Sequence, residues 1–211
     1  MTEVGRFMNH NQMKMCLTLG FLGISKLLKL SVVVGSKSSV FSSINVCAPF
    51  LTIFGGTFGA VISLLSAKVG YGMLYNTGLP TLCAGVYWRV EHKLVRMGLP
   101  FLCMLLFWAQ SGLTLAAAYP LLWIFPILVG LSGNNQIYAR ALGATLTAHA
   151  VGSVIWAWFV PLTHWQWFAL VPVAALERIV IAIGMVWFNQ LIGWMADSIS
   201  LLRSSNTKKV C

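Results

Sequence analysis

Glu177 and Arg178 are the residues with most chemistry to offer, because they form a charged pair inside a long apolar stretch, 168–194. A charge in hydrocarbon is costly unless it is paired or hydrated, so its presence marks a site by default. At about 1.5 Å per residue the pair lies roughly 15 Å into that helix, near the middle of a bilayer core about 30 Å thick. Adjacent helical residues diverge by about 100°, so a mutual salt bridge does not follow automatically and each is free to face a different neighbour. The preceding apolar stretch, 141–160, carries Thr145, His149 and Ser153 at i, i+4 and i+8, with Trp156 further along. That spacing draws one polar stripe on one helix face, and Ala144, Ala148 and Gly152 draw a stripe of small residues beside it. Polar stripes suit a lined cavity and small ones suit close helix contact. Two helices joined by a short turn are expected to lie antiparallel, bringing the two sets together. Thr145, His149, Ser153, Trp156, Glu177 and Arg178 are therefore the candidate substrate-binding residues. The bland reading stands beside it: His149 bonded to a carbonyl in a packed core, and Glu177–Arg178 clamping the loops.

Nothing in the sequence points to catalysis. It lacks HExxH, GxSxG, paired carboxylates and a glycine-rich phosphate loop leading into GK[ST]. The five cysteines form no CxxC pair and no cluster with histidine. Neither an enzyme nor a metal or cofactor site is expected.

The elements that must position these residues follow from composition. Of 211 residues, 14 are Lys or Arg and 4 are Asp or Glu, so 9% of the chain is charged and 58% is hydrophobic; mean hydropathy is +0.82. A soluble domain carries about 25% charged residues. So few charges cannot cover a water-facing surface of this size, which excludes a soluble enzyme, a nucleic-acid-binding domain and a disordered chain. The expected fold class is all-α: a polytopic helical membrane protein with about six transmembrane helices and one re-entrant or interfacial segment. It forms a single integral membrane domain over 1–211, with a polar tail at 1–13, a helical bundle at 15–194 and a basic tail at 195–211. The net charge of +10 then reports orientation rather than a nucleic-acid partner, since Lys and Arg collect on cytoplasmic flanks.

Apolar segments occur at 15–34, 46–67, 71–88, 97–109, 113–131, 141–160 and 168–194. The first is interrupted by Lys26 and Lys29, and the third by Asn76, Gly78 and Pro80, so one of these two is expected not to span. The second contains Gly55/Gly59 and Gly56/Ala60, small-xxx-small pairs that let a helix approach a neighbour closely. Cations at 89–96 and 132–140 and in the C-terminal tail place these at the cytoplasmic face, and turns at 110–112 and 161–167 at the outer face. Both termini then lie in the cytoplasm of a cell inner membrane. Trp165 and Trp167 fall at the outer headgroup level, where they serve as belt residues or rim a pocket.

The stretch Val40-Phe41-Ser42-Ser43-Ile44-Asn45-Val46-Cys47-Ala48-Pro49, leading into Gly55-Gly56-Thr57-Phe58-Gly59-Ala60, resembles the first loop and glycine-rich second helix of the substrate-binding S components of energy-coupling-factor (ECF) vitamin transporters. The resemblance implies a six-helix bundle with an outward pocket made by that loop and the last three helices. It also implies a small-molecule substrate, and coupling to a separate membrane subunit and two ATPases. In that family the first helix offers small residues to the coupling subunit. Gly20 and Gly23 match this, while Lys26 and Lys29 depart from a clean apolar face. The expected function is thus a vitamin-like uptake subunit without its own ATPase. The alternatives are a structural or assembly membrane protein with no ligand pocket, or an intramembrane enzyme.

Overall fold

The computed structural model describes residues 8–25, 29–34, 37–42, 44–66, 78–111, 114–133, 135–160 and 162–207. Its body is helical: α1 (His10–Ser25), α2 (Ile44–Cys47), α3 (Pro49–Ser66), α4 (Leu79–Arg89), α5 (Lys93–Ser111), a 3₁₀ segment (Leu115–Trp123) running into α6 (Ile124–Ser132), α7 (Ile137–Phe159) and α8 (His164–Thr207). Local chemistry fixes several ends. Pro80 stands in the first turn of α4, where its missing N–H costs nothing. Gly133 closes α6 in the left-handed conformation at φ 63°.

Four stretches among the described residues are long and apolar enough to cross a membrane: Lys93–Ser111, Leu115–Ser132, Ile137–Phe159 and His164–Leu202. They coincide with the last four apolar segments of the sequence. The longest helix, α8, runs for 44 residues with Pro172 inside it.

The amino-terminal part departs from expectation. The segment 15–34 is not one helix: α1 ends at Ser25, and Lys29–Val34 forms β1, paired antiparallel with β2 (Lys37–Ser42). The β-branched run Val32-Val33-Val34 favours a strand over a helix. Serines at 38, 39 and 42 thus fall in a hairpin strand rather than an open loop. The interrupting Lys26 lies outside the described residues, as do 1–7, the stretch 67–77 with Asn76, and 208–211 of the basic tail. Within the third apolar segment, α4 begins only at Leu79 and is 11 residues long.

Nor is the second segment a straight span. Gly56, at φ 60° and ψ −135°, breaks α3, and a Cβ on Gly59 would run into the Leu51 carbonyl. Eight residues of straight helix would hold those groups about 12 Å apart, so the chain doubles back at Gly56. The Arg89 guanidinium lies where a Gly56 Cβ would be, and its Nη1 donates to the Thr52 carbonyl at 3.2 Å. Of the small-residue pairs, Gly55 does face a neighbouring helix, through Met15 of α1, whereas Gly59 serves the reversal. Close helix contact of the expected kind joins α4 to α7. Gly143 lies against the Tyr87 ring and Gly152 against Pro80, with Ala144 fully buried nearby on α7.

Two side-chain networks tie the loops together, one at each end of the bundle. At the basic end, Arg140 pairs with Glu91 at 2.6 Å. Arg96, 2% exposed, donates to the Tyr87 and Val90 carbonyls and to Asn135 Oδ1. Loops 89–96 and 132–140 therefore share one end, and α1 runs alongside the part of α8 that lies towards it, with Phe21 against Phe188 and His10 3.7 Å from Asp197. At the other end Thr114 Oγ1 and His164 Nδ1 are hydrogen-bonded at 3.0 Å, which brings the turns before the 3₁₀ segment and before α8 together.

The buried core divides along the same axis. One cluster, including Phe50, Tyr87, Met185 and Ile192, fills the half near the basic end. The other, including Phe107, Tyr119, Trp123 and Trp167, fills the half near Thr114 and His164.

Candidate functional site

The second core cluster contains most of the polar chemistry. On α7 the four-residue spacing puts Thr145, His149 and Ser153 on one face. The 3₁₀ segment brings Tyr119 against it. The Tyr119 hydroxyl lies 2.7 Å from His149 Nε2 and 3.2 Å from Ser153 Oγ. A phenol has one proton to give, so it donates to one of these partners and accepts from the other, linking Ser153, Tyr119 and His149 in a single chain.

Aromatic rings enclose that chain. Phe107 of α5 stacks on Tyr119 at 5.7 Å between centroids, Trp167 of α8 meets it edge-on at 4.9 Å, and Trp123 meets it edge-on at 6.1 Å. All four are essentially buried. The Trp123 Nε1 is buried without a hydrogen-bond partner. Such an N–H carries a desolvation penalty of about 1–3 kcal/mol until an acceptor reaches it.

Towards the basic end, Arg178 Nη2 and Glu177 Oε1 pair at 2.8 Å. The two do face each other, their long stems bridging the angular gap. The Nε of Arg178 is buried and unpartnered. Thr145, also buried, shares its hydroxyl proton between the Leu142 carbonyl at 3.0 Å and the Arg178 carbonyl at 3.3 Å. It ties α7 to α8 at the level of the charged pair.

Of the sequence candidates, His149, Ser153, Thr145, Glu177 and Arg178 thus gather between α7, α8 and the 3₁₀ segment. Trp156 stands apart, 46% exposed on the outer surface of α7. Of the two tryptophans expected at the headgroup level, Trp165 is exposed and Trp167 packs inward. Three members of the cluster escaped sequence reasoning: Phe107, Tyr119 and Trp123. A usable signal existed, since Tyr119 is the one tyrosine in 113–131 and Trp123 follows it by four residues. Among the described residues no three His, Cys, Asp or Glu side chains gather as metal ligands.

Replacing Tyr119 by Phe keeps the ring stacking and deletes the shared hydroxyl, stranding His149 Nε2 and Ser153 Oγ. A stability loss of about 1–3 kcal/mol is expected, read as a lower thermal midpoint in detergent. An unchanged midpoint would show that neither atom depends on the phenol.

Compared with known families, curated proteins and solved structures, the chain matches no family model, no curated protein and no solved structure.

Proposed function

We propose that this chain is an inner-membrane uptake protein with about six spanning segments. It binds a small, vitamin-like molecule between α7, α8 and the 3₁₀ segment and has no ATPase of its own. The observation that carries the reading is the Ser153–Tyr119–His149 chain, set among buried aromatic rings beside the Glu177–Arg178 pair. Ligand sites are typically apolar and aromatic with a few convergent polar groups, and this cluster has that composition. The unpartnered Trp123 Nε1 and Arg178 Nε are donors with capacity to spare for a ligand acceptor.

In this reading the basic end, with loops 89–96 and 132–140 and both termini, faces the cytoplasm, and the His164 end faces outward. The resemblance to ECF S components adds a separate coupling membrane subunit and two ATPases as partners. The alternative of an assembly protein, whose small-residue stripes would receive another chain, draws less support. Gly55, Gly56, Gly59, Gly143 and Gly152 already meet Met15, Arg89, Leu51, Tyr87 and Pro80 of the same chain.

The test is to purify the protein in mild detergent, denature it and identify released small molecules by mass spectrometry. One compound near one-to-one stoichiometry is expected. His149→Ala and Arg178→Gln should each weaken its rebinding by about tenfold or more, as the loss of a buried hydrogen bond to a charged or polar group implies. Undiminished retention by both variants would overturn the reading.

A further inference from the structure

The basic end of the bundle holds a second arrangement of charge, separate from the candidate ligand site. Two guanidinium groups converge there on one neutral acceptor: Arg96 Nη1 donates to Asn135 Oδ1 at 3.1 Å and Arg140 Nη2 donates to the same oxygen at 3.3 Å. Arg96 also donates through Nε to the Val90 carbonyl at 2.9 Å and to the Tyr87 carbonyl at 3.3 Å, and Arg140 pairs with Glu91 at 2.6 Å. Glu91 is the only acidic residue in 89–96 and 132–140, and its side chain is 67% exposed. Two like charges held this close thus share one exposed counter-charge.

The donors are not all used. Arg96 is almost wholly buried, yet its Nη2 has no partner, and neither has the buried Nε of Arg140. The positive end of α7 opens two residues beyond Asn135, at Ile137, with no acidic residue in its first turn. A buried guanidinium with an idle donor, beside a second one and a helix N-terminus, is the donor set that binds oxyanions.

We propose that Arg96, Arg140 and Asn135 form a binding site for a phosphate-class oxyanion at this end of the bundle. The anion contributes the charge that Glu91 alone does not, and accepts from Arg96 Nη2 and Arg140 Nε while Asn135 Oδ1 holds the two guanidinium planes in place. The phosphate can be carried by an anionic lipid headgroup or be free in solution, since both present the same oxygens.

Asn135→Asp tests the site without emptying it, because the new carboxylate places a resident anion between the two arginines. Full-length protein in detergent is exposed either to phosphatidylglycerol or to phosphatidylcholine and examined by native mass spectrometry. In parallel, its thermal midpoint is measured with inorganic phosphate and with chloride at equal ionic strength. Wild type is expected to retain one phosphatidylglycerol, or to gain several degrees specifically from phosphate. The first result assigns a lipid headgroup and the second a soluble phosphate. Asn135→Asp should lose that retention or response at least tenfold while its own midpoint equals or exceeds that of wild type. Arg140→Gln should also lose the response, without the gain in midpoint. Equal anion binding by wild type and Asn135→Asp, or no preference for either phosphate source in wild type, overturns the proposal.

Discussion

Gly59→Ala is expected to destabilise the protein by about 3 kcal/mol or more, the upper range for forcing an added methyl into a closed space. The reason is the identity of what the methyl meets. Its nearest neighbours are the Leu51 carbonyl oxygen and carbon and the Thr52 backbone nitrogen, so no side chain can swing aside. Relief requires opening the reversal at Gly56, which would also pull Thr52 away from Arg89. Two other glycines serve as comparisons. A methyl on Gly55 meets the far end of the Met15 side chain, which can move, and a methyl on Gly20 meets nothing within 4 Å. Gly20→Ala should therefore be neutral or stabilising, by up to about 1 kcal/mol from helix propensity alone. Thermal midpoints of the three variants in one detergent check this, and equal values for Gly59→Ala and Gly20→Ala would refute the doubled-back chain.

Arg96→Ala carries a comparable cost for a different reason. The guanidinium is buried and is the donor for two backbone carbonyls and the Asn135 side chain. Its removal strands the Tyr87 and Val90 carbonyls and leaves Arg140, through Asn135 and Glu91, as the remaining tie between loop 89–96 and loop 132–140. Each buried carbonyl left without its donor costs about 1–3 kcal/mol, so the two together lose about 2–6 kcal/mol. The neighbouring pair makes the contrast, because Glu91 is exposed and its link to Arg140 is an ordinary surface ion pair. Glu91→Gln should lower stability by less than about 1 kcal/mol. Arg96→Ala should thus leave little folded protein at temperatures where Glu91→Gln is intact, measurable by size-exclusion chromatography after heating. A similar loss from both would mean that Arg96 does not hold the loops.

How far this was legible from the sequence depends on the element. The four apolar stretches from 97 onward became helical stretches long enough to cross a membrane because continuous hydrophobic length is unambiguous, and His149, Thr145 and Ser153 fell on one face because helical spacing dictates it. The pairing of Glu177 with Arg178 was not legible, since backbone angles say nothing of how far flexible stems reach. Trp165 and Trp167 are two apart on a helix and so point to opposite sides; one turned outward and the other inward, a choice set by Phe107 and Tyr119 rather than by local sequence. The run Gly55–Gly56 followed by Gly59 was ambiguous for a deeper reason. Glycine permits close packing against another helix and also permits a positive φ, and composition alone does not separate the two uses. The hairpin at 29–42 was missed because a short apolar run reads as either helix or strand, and only its β-branched valines tipped the balance.

The proline in α8 acquires a mechanical meaning from where it stands. Pro172 separates a short arm, bearing Trp167 in the aromatic cluster, from a long arm that passes Arg178 and continues to Thr207. A proline removes one helical hydrogen bond and is a natural pivot. Asp197 lies 25 residues beyond it, about 37 Å at the helical rise, so a bend of about 5° there swings Asp197 by about 3 Å. Pro172 is thus the point in α8 where the aromatic cluster and the end that packs on α1 are least rigidly joined, with no loop between them.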